Sequence, residues 1–169
     1  MPAAVDNFDN FVCGETEVLE MLPLDKVKDA VYAACAAGQV GVLQELLLSG
    51  GGGGGGGGGS GGASLPARAA EARRVVVEDY YPLFTAASNG REGIVEVLLG
   101  MEGVDVNRGD PRSGTTPLYM ACQKGHEAAV RLLLDHGADK SIETTNPAGW
   151  TALRIAEQQG HRTVAALLR

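Results

Sequence analysis

The sequence has few cysteines and no long apolar run. Cys13, Cys35 and Cys122 are an odd number of cysteines without CxxC spacing, so neither a disulfide scaffold nor a cysteine-rich zinc site is expected. No apolar run approaches the roughly 18 residues of a membrane-spanning helix. The N-terminus lacks the basic and apolar segments of a secretory signal. We therefore expect an intracellular protein, cytoplasmic or nuclear, with no membrane partner.

Basic residues are also scarce. The chain has 14 Lys and Arg against 21 Asp and Glu, which gives a formal net charge of −7. Nucleic-acid binders usually carry a basic surface, because their affinity comes largely from phosphate contacts. A nucleic-acid partner is therefore not expected. Residues 1–25 contain no Lys or Arg, and this composition predicts an acidic, partly disordered N-terminal lead-in.

The usual catalytic motifs are missing as well. GxSxG, HExxH and GxxxxGK[ST] do not occur, and the three histidines, His126, His136 and His161, have no neighbouring cysteine pair. The glycine tract matches GxGxxG trivially, but it does not lie between the strand and helix of a βαβ unit. We therefore predict no catalytic residue, no metal site and no cofactor, and hence no enzyme activity.

What the sequence does contain is an internal repeat with an interval of 35 residues. Leucine, alanine and glycine recur in register at Leu83, Leu118 and Leu153, at Ala86, Ala121 and Ala156, and at Gly90, Gly125 and Gly160. Each segment reads as a short helix, a glycine turn and a second helix that ends in leucines. Repetition of such a unit is typical of a solenoid.

Local signals support this division into helices. Thr116 has a hydroxyl that can cap a helix, and Pro117 suits the first helical position. Gly125 and Gly160 suit the left-handed residue that ends a helix. Each unit therefore predicts two helices separated by a tight turn.

These segments resemble the ankyrin repeat. "GTTPLYMACQKGHEAAVRLLLDHGADKS" follows that pattern closely, with Tyr119 where histidine is usual. In the last unit, Glu157 replaces a small residue that is normally buried, and in the earlier unit Tyr81 replaces the capping threonine. The resemblance implies an all-α ankyrin-repeat solenoid of stacked helix–turn–helix units with hairpin loops, and it gives His126 and His161 a structural role beside the turn.

A further unit precedes the glycine tract. "VYAACAAGQVGVLQELLLSG", residues 31–50, has its Ala, Gly and Leu positions in register with 83–102 at an offset of 52. We interpret the tract as an insertion within one array, because a single repeat cannot bury its apolar face alone. A frayed first unit on a loose tether is the alternative.

The predicted organisation has six parts. They are the lead-in 1–25, a first capping ankyrin-like unit 26–49, the Gly-rich insertion 50–79, ankyrin repeats 80–112 and 113–145, and a C-terminal capping repeat 146–169. Within the insertion, "RRVVV" favours a short strand and "ARAAEARR" a brief helix, and the sequence does not separate them. Whether the insertion takes part in binding or is a passive expansion is also open.

The resemblance implies a protein-interaction module, an adaptor or scaffold that binds a partner protein on a concave helix and hairpin face, and we expect a monomer. A regulatory or targeting fragment of a larger multidomain enzyme is the alternative. The partner-binding positions implied by the family pattern are Tyr80, Ser88, Asn89, Arg112, Thr115, Gln123, Lys124, Trp150, Gln158 and Gln159. Trp150 is the strongest anchor candidate, because tryptophan often dominates interface energetics. Packing across the hairpin is its equally weighted alternative.

Overall fold

The structure, a computed structural model, describes residues 23–48, 65–145 and 149–169. Within these ranges the chain is helical and has no strand, so the prediction of an all-α fold is confirmed. Cys13, most of the predicted lead-in and the glycine tract lie outside the described residues. The helices are α1 (Leu24–Ala37), α2 (Val40–Leu48), α3 (Leu65–Glu78), α4 (Tyr81–Ser88), α5 (Glu92–Leu99), α6 (Pro117–Lys124), α7 (Glu127–Asp135), α8 (Ala152–Gln158) and α9 (Arg162–Leu168).

The helices form two layers. The first helix of each pair packs against the next, in the order α1, α4, α6 and α8, and the second helices follow in the order α2, α5, α7 and α9. The pair α1–α2, which precedes the glycine tract, thus packs on α4–α5 just as the later pairs pack on one another. We name these two layers the first-helix layer and the second-helix layer.

Helix α3 lies in the segment for which the sequence left a strand and a helix open. It covers both "ARAAEARR" and the valine run, so the strand alternative is wrong. Its buried apolar side chains are Ala69, Ala72, Val75 and Val76, and the helix packs against both α1 and α2. Burial of each valine contributes on the order of 1.5–3 kcal/mol, which exceeds the small preference of valine for strands.

The ends of the repeat helices follow the predicted chemistry. The Thr116 hydroxyl accepts a hydrogen bond of 3.2 Å from the amide of Tyr119, and Thr151 caps α8 in the same way. At the end of α6, Gly125 has a φ of 76°. This left-handed conformation favours glycine because a Cβ atom would crowd the backbone.

Neighbouring units are joined by a repeated contact. The His126 Nε2–H donates to the carbonyl of Ser88 at 3.1 Å, and the His161 Nε2–H donates to the carbonyl of Gln123 at 3.2 Å. Each imidazole thereby donates to a carbonyl at the end of the preceding unit's first helix. This carbonyl has no partner within its own helix. The structural role that the resemblance implied for both histidines is thus observed.

The first junction uses arginine in place of histidine. Arg91 lies 35 residues before His126, and its Nε–H donates to the carbonyl of Ala36 at 3.1 Å. The stacking contact therefore continues across the junction between α1–α2 and α4–α5, although the two pairs are separated in sequence by the glycine tract and α3.

The core runs through all four helix pairs and α3. Cys35 and Cys122 are fully buried in it, and burial raises the pKa of each thiol to about 12. Both behave as small apolar side chains and not as reactive thiols. Glu157, at a position that is normally buried in the family, is exposed here and pairs with Arg169 at 2.7 Å.

Candidate functional site

The predicted contact positions at the C-terminal ends of the first helices fall into two rows. One row consists of Ser88, Gln123 and Gln158, and the other of Asn89, Lys124 and Gln159, with an interval of 35 residues in each. Because α4, α6 and α8 stack directly, equivalent residues lie side by side along the first-helix layer. The three residues of the second row are exposed, whereas Ser88 and Gln123 are half-buried.

Two of these residues also join the units. The backbone carbonyls of Ser88 and Gln123 accept the histidine hydrogen bonds described above. Their side chains remain on the surface of the layer while their backbone is fixed by the next unit. The row is therefore held in a fixed register, which lowers the entropic cost of binding a partner.

The remaining predicted positions lie in the turns that lead into the first helices. Arg112 is exposed, and its carbonyl accepts a hydrogen bond of 3.1 Å from the hydroxyl of Thr145 in the next turn. Thr115 is half-buried, and its hydroxyl lies 2.6 Å from that of Ser113. The amide of Thr145 donates to the carbonyl of Ser113 at 2.9 Å. These contacts hold consecutive turns against one another.

Trp150 is built into its own turn. Its amide donates to the Thr144 hydroxyl at 3.1 Å and its carbonyl accepts from the Thr144 amide at 3.0 Å. The half-buried indole packs against the core, and its Nε1 is enclosed by protein atoms. The Arg154 guanidinium lies over the indole, 5.2 Å from the ring centroid. The indole of Trp150 is therefore held in place by packing, and only the part of its surface that remains exposed can contact a partner.

Tyr80 belongs to an aromatic cluster that the sequence-based prediction missed. Its ring lies 5.8 Å from that of Phe84 and 6.2 Å from that of Tyr81, and Tyr81 in turn lies 4.6 Å from Tyr32. Tyr81 is 40% exposed. The offset of 52 that relates the first unit to the second places Tyr32 at the position of Phe84. The sequence register could therefore have predicted that the two aromatic residues lie in neighbouring first helices.

Beside the aromatic cluster, a polar network joins α1 to the turn between α3 and α4. The Tyr32 hydroxyl donates to the Asp79 carboxylate, and the Lys28 ammonium lies 3.0 Å from the same carboxylate. Although burial alone opposes ionisation of this group, the hydrogen bonds from Tyr32 and Lys28 outweigh it and hold the pKa of Asp79 below its usual value. Burial and the Asp79 contact raise the pKa of Tyr32 to about 12.

Two kinds of functional feature are absent from the described residues. No group of three or more His, Cys, Asp or Glu residues in ranges 23–48, 65–145 and 149–169 is placed to hold a metal ion. No helix in those ranges is both long enough and apolar enough to span a bilayer. What the geometry offers is a row of surface side chains on a backbone that is held in register.

Comparison with known proteins agrees with the repeat. Residues 83–169 match the family model described as ankyrin repeats in three copies. No curated protein matches the chain. The match begins at Leu83 and therefore covers the three helix pairs from α4 onwards.

Proposed function

The chain belongs to the ankyrin repeat family, and on this premise we propose that it is a non-catalytic adaptor that binds a partner protein on its first-helix layer. Ankyrin repeats generally mediate protein–protein interaction. The proposed contact residues are those of the two helix rows and the adjoining turns. We further propose that the chain acts as a monomer and that its partner is neither nucleic acid nor membrane.

The observation that carries this proposal is the fixed register of the rows. The imidazoles of His126 and His161 bond to the backbone carbonyls of Ser88 and Gln123 and so hold three successive units together. The neighbouring side chains of Asn89, Lys124 and Gln159 are exposed. Stacked repeats form an extended surface of this kind, and the partners of such proteins contact several units at once.

The proposal can be tested by position-dependent cross-linking. A photoreactive phenylalanine analogue is introduced at Asn89 or at Lys124, both exposed on the first-helix layer. After irradiation in an extract, the same partner band is expected from both positions. The matched control places the analogue at Arg131, which is exposed on α7 in the second-helix layer and is expected to give no such band.

A charge-reversal variant gives the quantitative test. Lys124→Glu is expected to reduce recovery of the cross-linked partner from position 89 with only a small loss of stability, about 1 kcal/mol, because Lys124 is exposed but lies in the last turn of α6, where a cation is favourable. Equal cross-linking from all three positions, or from Arg131 alone, would refute binding through the first-helix layer.

A further inference from the structure

The second-helix layer contains a groove that depends on α3. Its volume is about 510 Å³, and it lies where the C-terminal parts of α2, α3 and α5 meet. The apolar lining residues are Leu47, Leu48, Val77, Val97 and Met101. Leu48 is 61% exposed, so apolar surface is open to solvent there. None of the residues proposed above for partner binding lines this groove.

Two of the three helix ends at the groove receive an arginine. The Arg73 Nε–H donates to the carbonyl of Leu47 at the end of α2, at 2.9 Å. Arg108 donates to the carbonyls of Val77 and Glu78 at the end of α3, at 2.9 and 2.7 Å. A helix C-terminus carries partial negative charge and is stabilised by a nearby cation.

The third helix end has no such cation. Helix α5 has no basic residue in its last turn. Its final carbonyls accept from the amides of Gly100 and Met101, and no hydrogen bond from a Lys or Arg side chain to them is seen within ranges 23–48, 65–145 and 149–169. Two carboxylates, Glu96 and Glu102, line the groove at this end. Neither forms an ion pair with another residue in the part of the chain that the structure describes. Arg73 also lines the groove, where it is bonded to the end of α2. The groove therefore combines apolar walls with two carboxylates at the end of α5 that form no ion pair in the described ranges.

We propose that this groove binds a segment of another protein that presents apolar side chains together with a Lys or Arg residue. The apolar side chains would lie against the leucine, valine and methionine walls, and the cation would occupy the end of α5 as Arg73 and Arg108 occupy the ends of α2 and α3. Charge complementarity also decides between possible occupants. Residues 1–22 of this chain contain no Lys or Arg and are acidic, and residues 49–64 contain no charged residue, so neither segment supplies the cation.

The test uses the two methionines that the structure describes, with the full chain labelled by carbon-13 at the methionine methyl groups. Met101 lines the groove, whereas Met120 lies on α6 in the first-helix layer. The probe is a short peptide of leucine and lysine, and its control has every lysine replaced by glutamate. The Met101 signal is expected to shift saturably with the lysine peptide only, and the Met120 signal is expected to stay in place.

Two charge-reversal variants locate the cation. Glu102→Lys is expected to weaken binding of the lysine peptide by about fivefold, because it both removes an attractive charge and adds a repulsive one. Asp135→Lys is the matched control. This substitution changes the net charge by the same amount, and Asp135 is exposed at the end of α7, away from α3. The affinity of the Asp135→Lys variant for the lysine peptide is therefore expected to stay near that of the wild type.

Four results would overturn the proposal. Equal losses in Glu102→Lys and Asp135→Lys would mean that the peptide senses only the overall charge. A shift of Met120, or equal binding of the glutamate peptide, would refute the groove or its charge preference. A Met101 shift that follows protein concentration without peptide would show instead that a second copy of the chain occupies the groove.

Discussion

The contact between Gly125 and His161 provides the sharpest test of how the units are held together. A Cβ atom added at Gly125 would lie 2.6 Å from the imidazole Nδ1 and Cε1 of His161, far inside van der Waals contact. At Gly160, which has the same φ of 76°, an added Cβ atom would meet nothing within 4 Å. Gly125→Ala and Gly160→Ala therefore share the same backbone strain and differ in the neighbouring ring.

The expected magnitudes follow from these two effects. The left-handed conformation costs an alanine roughly 1–2 kcal/mol, and this is the expected loss in free energy of unfolding for Gly160→Ala. In Gly125→Ala the ring of His161 must also move, which removes its hydrogen bond to the Gln123 carbonyl, worth about 1 kcal/mol. The total expected loss is therefore roughly 2–3 kcal/mol. Gly137→Ala, with a φ of 81° and no atom within 4 Å, is the control inside the array.

Urea unfolding followed by helical circular dichroism and by the fluorescence of the single tryptophan, Trp150, measures these losses. A double-mutant cycle isolates the contact, because in a His161→Ala background Gly125→Ala is expected to cost only the backbone strain. If Gly125→Ala costs the same as both control variants, within about 0.5 kcal/mol, or if its cost does not change in the His161→Ala background, the histidine contact does not contribute to stacking.

Three further predictions concern the first unit, the polar network around Asp79 and the side chain of Trp150. Amides of residues 42–47 are expected to exchange with solvent far more slowly than free peptide, because α2 packs against α3 and α5; exchange at the peptide rate would indicate the frayed alternative. Since the pKa of Asp79 is lowered on folding, its contribution to stability is present above the unfolded pKa of about 3.9 and is lost as the pH falls through the lower folded value. Asp79→Asn should therefore lower stability at neutral pH and weaken the acid dependence of urea unfolding, and an unchanged dependence would contradict this. Trp150→Ala is expected to cost about 2 kcal/mol, roughly half the loss for a fully buried tryptophan, and a thermal midpoint equal to that of the wild type would indicate an indole that serves only as a contact surface.

The repeat part of the fold was predictable because its signals are local and occur in register. Thr116 and Gly125 have the expected capping and left-handed roles. The 35-residue interval also relates Arg91 to His126 and His161, so the register contains the arginine version of the stacking contact. The interval does not predict that arginine can make the same contact as histidine. Whether the Arg91 side chain reaches the Ala36 carbonyl depends on how the first unit packs against the second.

Helix α3 was not predictable from its residues alone. The run Val75–Val77 is β-branched and favours a strand, while the preceding alanines favour a helix. The outcome depends on tertiary packing, because Val75 and Val76 are buried in the core that α1 and α2 provide. The groove escaped prediction for the same reason, since α3 forms one of its walls and has no counterpart in the other units.

The stacking contact has a direction. At every junction the side chain comes from the later unit, and the glycine and the carbonyl it reaches belong to the earlier one. An engineered unit placed after α9 and carrying histidine at the matching position would find Gly160 in the left-handed conformation with open space beside it, but the exposed Glu157 and its ion pair with Arg169 would have to be replaced by small apolar residues. A unit added before α1 would instead have to supply the glycine and the carbonyl itself, so the two ends of the array call for different designs.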